Sequence, residues 1–445
     1  MSCYVTPPPS RLDMKPSACT VFHLRKYFDN ALVEKHTFRS LNLNTARIAD
    51  LQHIVTSCRR LNVREIDLKI TLPQYSLAER IQFETDEDRR LNNQTFTQTI
   101  CTLFEILSSW PDKFTLELSI RATSPRDFTE DAKPSSRRLR GMKRPGTDIL
   151  HWRYMSSYLD MLKPAEAVPV AHAIFDLVVR RGVERNIAPA ALSKLISRLP
   201  RLSNLTAALS DNERKDEHLR NRLRSEFAIS LTQWPESLQQ LIFEYPGEAP
   251  RDADYPPLKR SKPGADSFCP ALRHLSQQLK HISLEGLMAG PELFWPQNKD
   301  DTNQPHWPNL ISFNLTYAAA TPSGEWLFNL NMDPPTDDAA QDEFPDDYRT
   351  APSPLLNTMY IAAGYAAQQM PRLQTMDLIG QVQPGLNGLL RYQILSCEMR
   401  HEFHYDRGQG RVSWVGTSLF PLESETRGNI VEDESMAPQL HSDIQ

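Results

Sequence analysis

One spacing recurs along this chain and limits what it can fold into: an apolar residue, two others, an apolar residue, one other, an apolar residue. It occurs at Val63, Ile66 and Leu68; at Ile174, Leu177 and Val179; and, as the weakest fit, at Leu202, Leu205 and Ala207. It returns at Leu238, Leu241 and Phe243; at Leu279, Ile282 and Leu284; at Leu310, Phe313 and Leu315; and at Leu373, Met376 and Leu378. Phe114, Leu116, Leu118 and Ile120 alternate strictly and predict one more strand. Residues two apart on a strand share a face, so the last two positions of each unit point together into one core. The first position turns the chain into the strand and buries its own side chain. Strands of this kind bury a shared core only when stacked side by side.

The runs between these strands carry apolar residues three and four apart, which predicts amphipathic helices packed on the strand layer. They are Thr45–Leu61 (Ile48, Leu51, Ile54, Val55), Phe96–Trp110 (Ile100, Leu103, Phe104, Leu107) and Pro189–Leu199 (Leu192, Leu195, Ile196, Leu199). Arg222–Trp234 (Phe227, Ile229, Leu231) and Pro354–Met370 (Leu355, Met359, Ile361, Ala362) complete the set. The phrases SSWPDKF, SRLPRL, TQWPESL, HWPNL and QQMPRL each place an apolar residue and Pro before the next strand. Pro stops the helix, and the apolar residue closes the end of the core.

This is the physics of a leucine-rich repeat, with two departures. The interval from Leu202 to Leu238 is 36 residues, then 41 to Leu279, 31 to Leu310 and 63 to Leu373. The turn residue, Asn or Cys, of ordinary leucine-rich repeats is missing. The expected fold is therefore α/β, an irregular leucine-rich-repeat-like solenoid of short parallel strands and helices, with a C-terminal β-ribbon. LLRYQILSC, HEFHY and RVSWV supply that ribbon, with a hairpin turn at DRGQG. The expected organisation is an N-terminal segment 1–35, a repeat-like domain 36–420 and a polar, acidic tail 421–445. Insertions are expected near 121–147, 248–267 and 333–353.

Composition excludes several function classes. The 445 residues are 40% hydrophobic and 24% charged, with net charge −5, so no global drive toward nucleic acid exists. Only 16 residues are Gly against 34 Pro, and neither G-x-G-x-x-G nor G-x-x-x-x-G-K-[ST] occurs. No cofactor is expected. The six cysteines form no C-x-x-C pair, and Cys58 and Cys101, on apolar helix-like stretches, are expected to be buried, reduced thiols. The first residues show no secretory h-region, and no run of 18 apolar residues predicts a membrane span. A cytoplasmic or nuclear location with no membrane partner is expected.

Candidate chemical motifs are few. His401, Glu402 and His404 form HEFH, but on a strand 401 and 404 face opposite ways, and the zincin pattern needs His at i and i+4 of a helix. Ser323 lies in TPSGEWLF, which lacks the G-x-S-x-G elbow and reads as a turn, with Trp326, Leu327 and Phe328 capping the core beyond it. Arg137, Arg138, Arg140, Lys143 and Arg144 form a basic run that is a candidate nuclear-import signal; Lys259, Arg260 and Lys262 form a second. No aromatic interleaving accompanies either run, so a base-stacking platform is not expected. The acids from Asp337 to Asp347 have no EF-hand spacing.

Seven phrases, in order, resemble a fungal family of F-box and leucine-rich-repeat-like proteins with a C-terminal domain of unknown function. They are HTFRSLNLNTARIADL, VREIDLKITLPQY, SSWPDKFTLELSIRATSPRD, APAALSKLISRLPRL, WPESLQQLIFEY, WPNLISFNLTYAAATPSGEWLF and MPRLQTMDLIG followed by LLRYQ, from about His36 to Val415. Members often begin with an F-box, which docks on the Skp1 adaptor of a ubiquitin ligase. No L-P-x-E-type opening is present here, and FHLRKYFDNALVEKHTF resembles only the end of that module. The resemblance implies a non-enzymatic protein-interaction module of the substrate-receptor type, with an unidentified protein partner and Skp1 as a candidate. The alternative is an accessory protein of a fungal metabolic gene cluster with a small-molecule-binding or enzymatic role.

Overall fold

A computed structural model describes residues 33–127, 153–154, 157–179, 185–210, 216–247, 266–297, 304–330, 349–381, 400–408 and 411–415. The chain forms strands β1 (Ser40–Asn44), β2 (Glu65–Thr71), β3 (Leu116–Thr123), β4 (Ile174–Val179), β5 (Asn204–Ala208) and β6 (Gln240–Glu244), of which β2 and β4 to β6 carry the repeated apolar triplet and β3 the alternating run. After them come β7 (His281–Leu287), β8 (Ser312–Tyr317), β9 (Phe328–Leu330), β10 (Arg349–Pro352), β11 (Thr375–Gln381), β12 (Arg400–Asp406) and β13 (Arg411–Val415). Eleven of them form one sheet in the order β1 through β8, β11, β12, β13, and β9 pairs antiparallel with β10 outside it. From β1 to β11 each sheet neighbour is parallel and is the next sheet strand in the chain; β12 and β13 add antiparallel.

The triplets explain that order. Ile66, Leu118, Leu177, Leu205, Leu241, Ile282, Phe313 and Met376 are register partners in succession. Leu68, Ile120, Val179, Ala207, Phe243, Leu284, Leu315 and Leu378 form the parallel row. None of these side chains is more than 3% exposed. Each unit therefore offers two apolar residues to the identical pair on the next, and shifting any strand by one residue would turn its pair to solvent. One contiguous apolar cluster runs from Ile48 to Phe403 and includes the buried faces of the helices.

Those helices are α1 (Ile48–Ile54), α2 (Ser57–Arg60), α3 (Asp86–Ser108), α4 (Pro189–Ile196), α5 (Glu217–Ser230), α6 (Phe268–Ser276) and α7 (Pro354–Gln368). Every apolar residue of the expected Pro stops is buried: Trp110, Leu199, Trp234, Trp307 and Met370. Two of the tryptophans also tie successive units together. Trp234 Nε1 donates to Ser193 Oγ of α4 at 2.9 Å, and Trp307 Nε1 donates to Ser276 Oγ of α6 at 2.7 Å.

At five strand entries a backbone carbonyl of the preceding unit takes the place of the missing Asn. Ser203 O accepts from Gln239 N and Gln240 N at 2.8 and 3.0 Å, Gln239 O from Lys280 N and His281 N at 2.7 and 3.1 Å, and Lys280 O from Ile311 N and Ser312 N at 2.8 and 3.3 Å. Ile311 O repeats the motif with Gln374 N and Thr375 N, and Arg39 O with Arg64 N and Glu65 N. A forked bond of this kind pairs two strand-entry N–H groups without any side chain, so the position is free to vary.

Several expectations are corrected. The helix expected over Thr45–Leu61 is broken: a 3-10 turn at Thr45–Arg47 precedes α1, and Thr56 is extended between α1 and α2. Val55 leaves helical geometry there, and its side chain turns into the core. Cys58, expected to be buried, is exposed on α2, which buries none of its residues, whereas Cys101 and Cys269 are buried. Ile229, placed on the apolar face of its helix, is 70% exposed. No α-helix precedes HWPNL among residues 304–311.

Helix α3 begins ten residues before the expected Phe96, at a capping box between Thr85 and Asp88. The first insertion starts later than 121, because β3 continues to Thr123 with Ala122 buried. Arg349–Pro352, expected within an insertion, is a strand. β1 and α6 were not anticipated by any apolar triplet or helix run above. The segment LLRYQILSC, residues 1–32 and the tail 416–445 lie outside the described residues, as do most of the expected insertions.

Candidate functional site

Between the two buried ladders lie the intervening strand residues, and they form the other face of the sheet. The first row across it is Glu65, Glu117, Asp176, Asn204, Gln240, His281, Ser312 and Thr375. The second is Asp67, Ser119, Val178, Thr206, Ile242, Ser283, Asn314, Asp377 and His404. A third holds Lys69 beside Arg121 and, farther along, Ala208, Glu244, Glu285, Thr316 and Ile379. These residues are half-buried or exposed, in contrast to the ladders beneath them. Ile242, at the middle of the sheet, is 42% exposed.

Short polar links run across this face from strand to strand. Arg121 pairs with Asp67 at 2.7 Å, Asn204 donates to Asp176, and His281 Nδ1 meets Ser312 Oγ at 3.0 Å. Asp377 is gripped from both sides: His404 Nδ1 lies 2.7 Å from one oxygen, and the Asn314 amide, turned with its nitrogen toward the carboxylate, donates to the other at 3.0 Å. The acids outnumber the fixed cations. Glu65, Glu117 and Asp176 stand in register on three consecutive strands, and Glu244 stands beside Glu285. Neighbouring strands are about 4.8 Å apart, so these carboxylates repel one another. Among the described residues no ion pair involves Glu65, Glu117, Asp176 or Glu285.

The polar residues beyond the strand ends behave differently, because they are buried and pair with one another, with Arg153 Nε and Arg185 Nε left without a hydrogen bond among the described residues. Asp127 accepts from the hydroxyls of Tyr75 and Tyr154 at 2.7 and 2.8 Å and from Ser124 N at 2.8 Å. Glu84 takes both terminal nitrogens of Arg185, at 2.7 and 2.9 Å, and Asn92 Nδ2 at 2.5 Å. Arg153 lies over the Tyr75 ring at 4.1 Å and Arg185 over Tyr154 at 3.9 Å, which closes the stack. Burial, with the Asp127 carboxylate adding to it, holds both tyrosine hydroxyls well above their ordinary pKa, so they stay neutral donors. This cluster fastens the loop after β2, the segment just past β3 and the residues Arg153, Tyr154 and Ser157 to one another.

A second buried pair, Arg224 with Asp266 at 2.8 and 2.9 Å, fastens α5 to the start of α6. Burial pushes the Asp266 carboxyl up, but Arg224 and the Cys269 N–H outweigh it and bring its pKa down to about 2. Burial also pushes the Cys269 thiol well up, so it is not a nucleophilic thiolate.

Of the residues singled out in the sequence, Arg137, Arg138, Arg140, Lys143 and Arg144 lie outside the described residues, as do Lys259, Arg260 and Lys262. In HEFH, the register sets 401 opposite Gly380 and 404 opposite Asp377, three residues apart on one strand, and His404 alone has a described partner, Asp377. Among the described residues no three His, Cys, Asp or Glu side chains gather as a metal site. Ser323 Oγ donates to the Glu325 carboxylate at 2.6 Å within a turn where Gly324 has φ 77°, and Leu327 and Phe328 behind it are buried. No described helix is long and apolar enough to cross a membrane.

The residues of the acidic face were passed over in the sequence. Their signal was present in the residues between the apolar pairs, as in REIDLKI and LELSI, but only a known register says which of them become neighbours. Comparison with known protein families and with curated proteins finds no match for the chain.

Proposed function

We propose that this chain is a non-catalytic protein-interaction module, an irregular leucine-rich-repeat-like solenoid closed by a C-terminal β-ribbon, whose partner binds the polar face of the sheet. One observation carries the reading: polar groups buried at the strand ends consume one another, while the polar face spans the sheet with Ile242 exposed at its middle. A sheet face bearing half-exposed acids, amides and hydroxyls around an apolar residue supports recognition of another chain more readily than it supports a small ligand, which calls for a concave pocket with convergent polar groups. The resemblance to F-box-type substrate receptors adds a cytoplasmic or nuclear setting and Skp1 as a candidate adaptor.

The test is a photo-crosslinking residue at Ile242, with the same residue at Glu105 on the exposed side of α3 as the control. A partner captured from 242 and not from 105 supports the reading; equal capture from both positions sinks it. Reconstitution with purified Skp1 tests the adaptor separately, and no complex at micromolar concentrations would remove the ligase assignment.

A further inference from the structure

Resting on that reading, we infer that the partner presents an extended, Lys/Arg-rich segment that crosses the strands of β2 to β7 over the acidic face. Charge is the first argument. Glu65, Glu117 and Asp176 occupy one register row on three adjacent strands, and Glu285 stands farther across the same face. Like charges set directly opposite each other in a sheet destabilise it, so the row works against the fold unless a cation covers it. No described side chain supplies that cation to Glu65, Glu117, Asp176 or Glu285.

Geometry is the second argument. Three of the carboxylates are strung along one row, and among the described residues no three acids or histidines converge as a metal site, so the arrangement suits a string of cations better than one metal ion. Five strand spacings from β2 to β7 span about 24 Å, the reach of roughly seven extended residues. Ile242, on β6 between Asp176 of β4 and Glu285 of β7, adds a 42%-exposed apolar contact within the crossed span.

The probe is a fluorescein-labelled nonapeptide of Lys and Arg with a central Leu, titrated into the full chain and followed by anisotropy. Its counterpart carries Glu at every basic position. The basic peptide is expected to bind saturably and to weaken with salt, as a screened contact must. Glu65→Gln/Glu117→Gln/Asp176→Asn together should weaken it about ten-fold or more, and Glu105→Gln should leave it unchanged. Circular dichroism of the triple variant keeps folding separate from binding, since removing mutual repulsion should hold or raise its thermal midpoint. Equal binding of the acidic peptide, or an unchanged Kd in the triple variant, overturns the inference. If the Ile242 crosslinker still captures its partner in the triple variant, the charge argument falls while the interaction reading stands. Capture of a second copy of this chain overturns the basic partner. If the unaltered chain neither captures a partner from position 242 nor binds the basic peptide, the two readings fall together.

Discussion

At the residue scale, the two sides of one strand do opposite work. On β3, Leu118 and Ile120 are 1% exposed between the equivalent residues of β2 and β4, while Glu117 stands between Glu65 and Asp176. Glu117→Gln should therefore stabilise the fold by about 0.2–1 kcal/mol, the size of one cross-strand pair, read as a rise in the urea midpoint with unchanged slope. Leu241→Ala should do the reverse. Its side chain is enclosed by Leu205 and Ile282, and a cavity there should cost about 2–5 kcal/mol. Gly286 is required by its backbone: φ is 69°, and an added Cβ would sit 2.9 Å from Pro246 Cβ.

At the element scale, helices are fastened to their neighbours by single polar contacts laid over the apolar core. Trp307→Phe deletes the bond to Ser276 and leaves a cavity where the larger indole was packed, so in chemical unfolding it should cost more than the bond alone, which is worth about 0.5–1.5 kcal/mol. The Arg224–Asp266 pair is more consequential, since Asp266→Asn leaves a buried guanidinium without its counter-charge and should cost about 3–5 kcal/mol. The same pair predicts an acid response. The folded Asp266 titrates at about 2, below its ordinary value of 3.8, so its contribution is complete above pH 3.8 and is lost as the pH falls toward 2. Over that interval Asp266→Asn should flatten the dependence of stability on pH, measured by denaturant titration at stepped pH.

At the scale of the whole molecule, the sheet is assembled by repetition rather than by a long-range crossover. Each parallel strand pairs with the next strand of the sheet, and the forked carbonyl bond recurs at five strand entries although the intervals between adjacent units run from 28 to 63 residues. The irregular lengths are taken up in the connections and do not disturb the ladder, because the triplet and its entry turn set the register with the neighbouring strand. A continuous apolar cluster from Ile48 to Phe403 should make the described body unfold with its units coupled. Leu241→Ala, in a central strand, should then lower hydrogen-exchange protection in β5 and β7 along with β6, and an effect confined to β6 would show that the units are independent.

The apolar triplets were sufficient to place most strands and both buried ladders, because two residues in three positions of each unit can be buried in only one way. The Pro stops were equally legible, since Pro ends a helix wherever the chain goes next. β1, with the weaker run SLNLN, and the strand at Arg349–Pro352 were not legible, because neither carries the full apolar triplet. Nor was the acidic face. Glu65, Glu117 and Asp176 are separated by 52 and 59 residues, and each by itself is an ordinary solvated acid. Only the parallel register sets them side by side, where about 4.8 Å of strand spacing turns three unrelated carboxylates into one charged row.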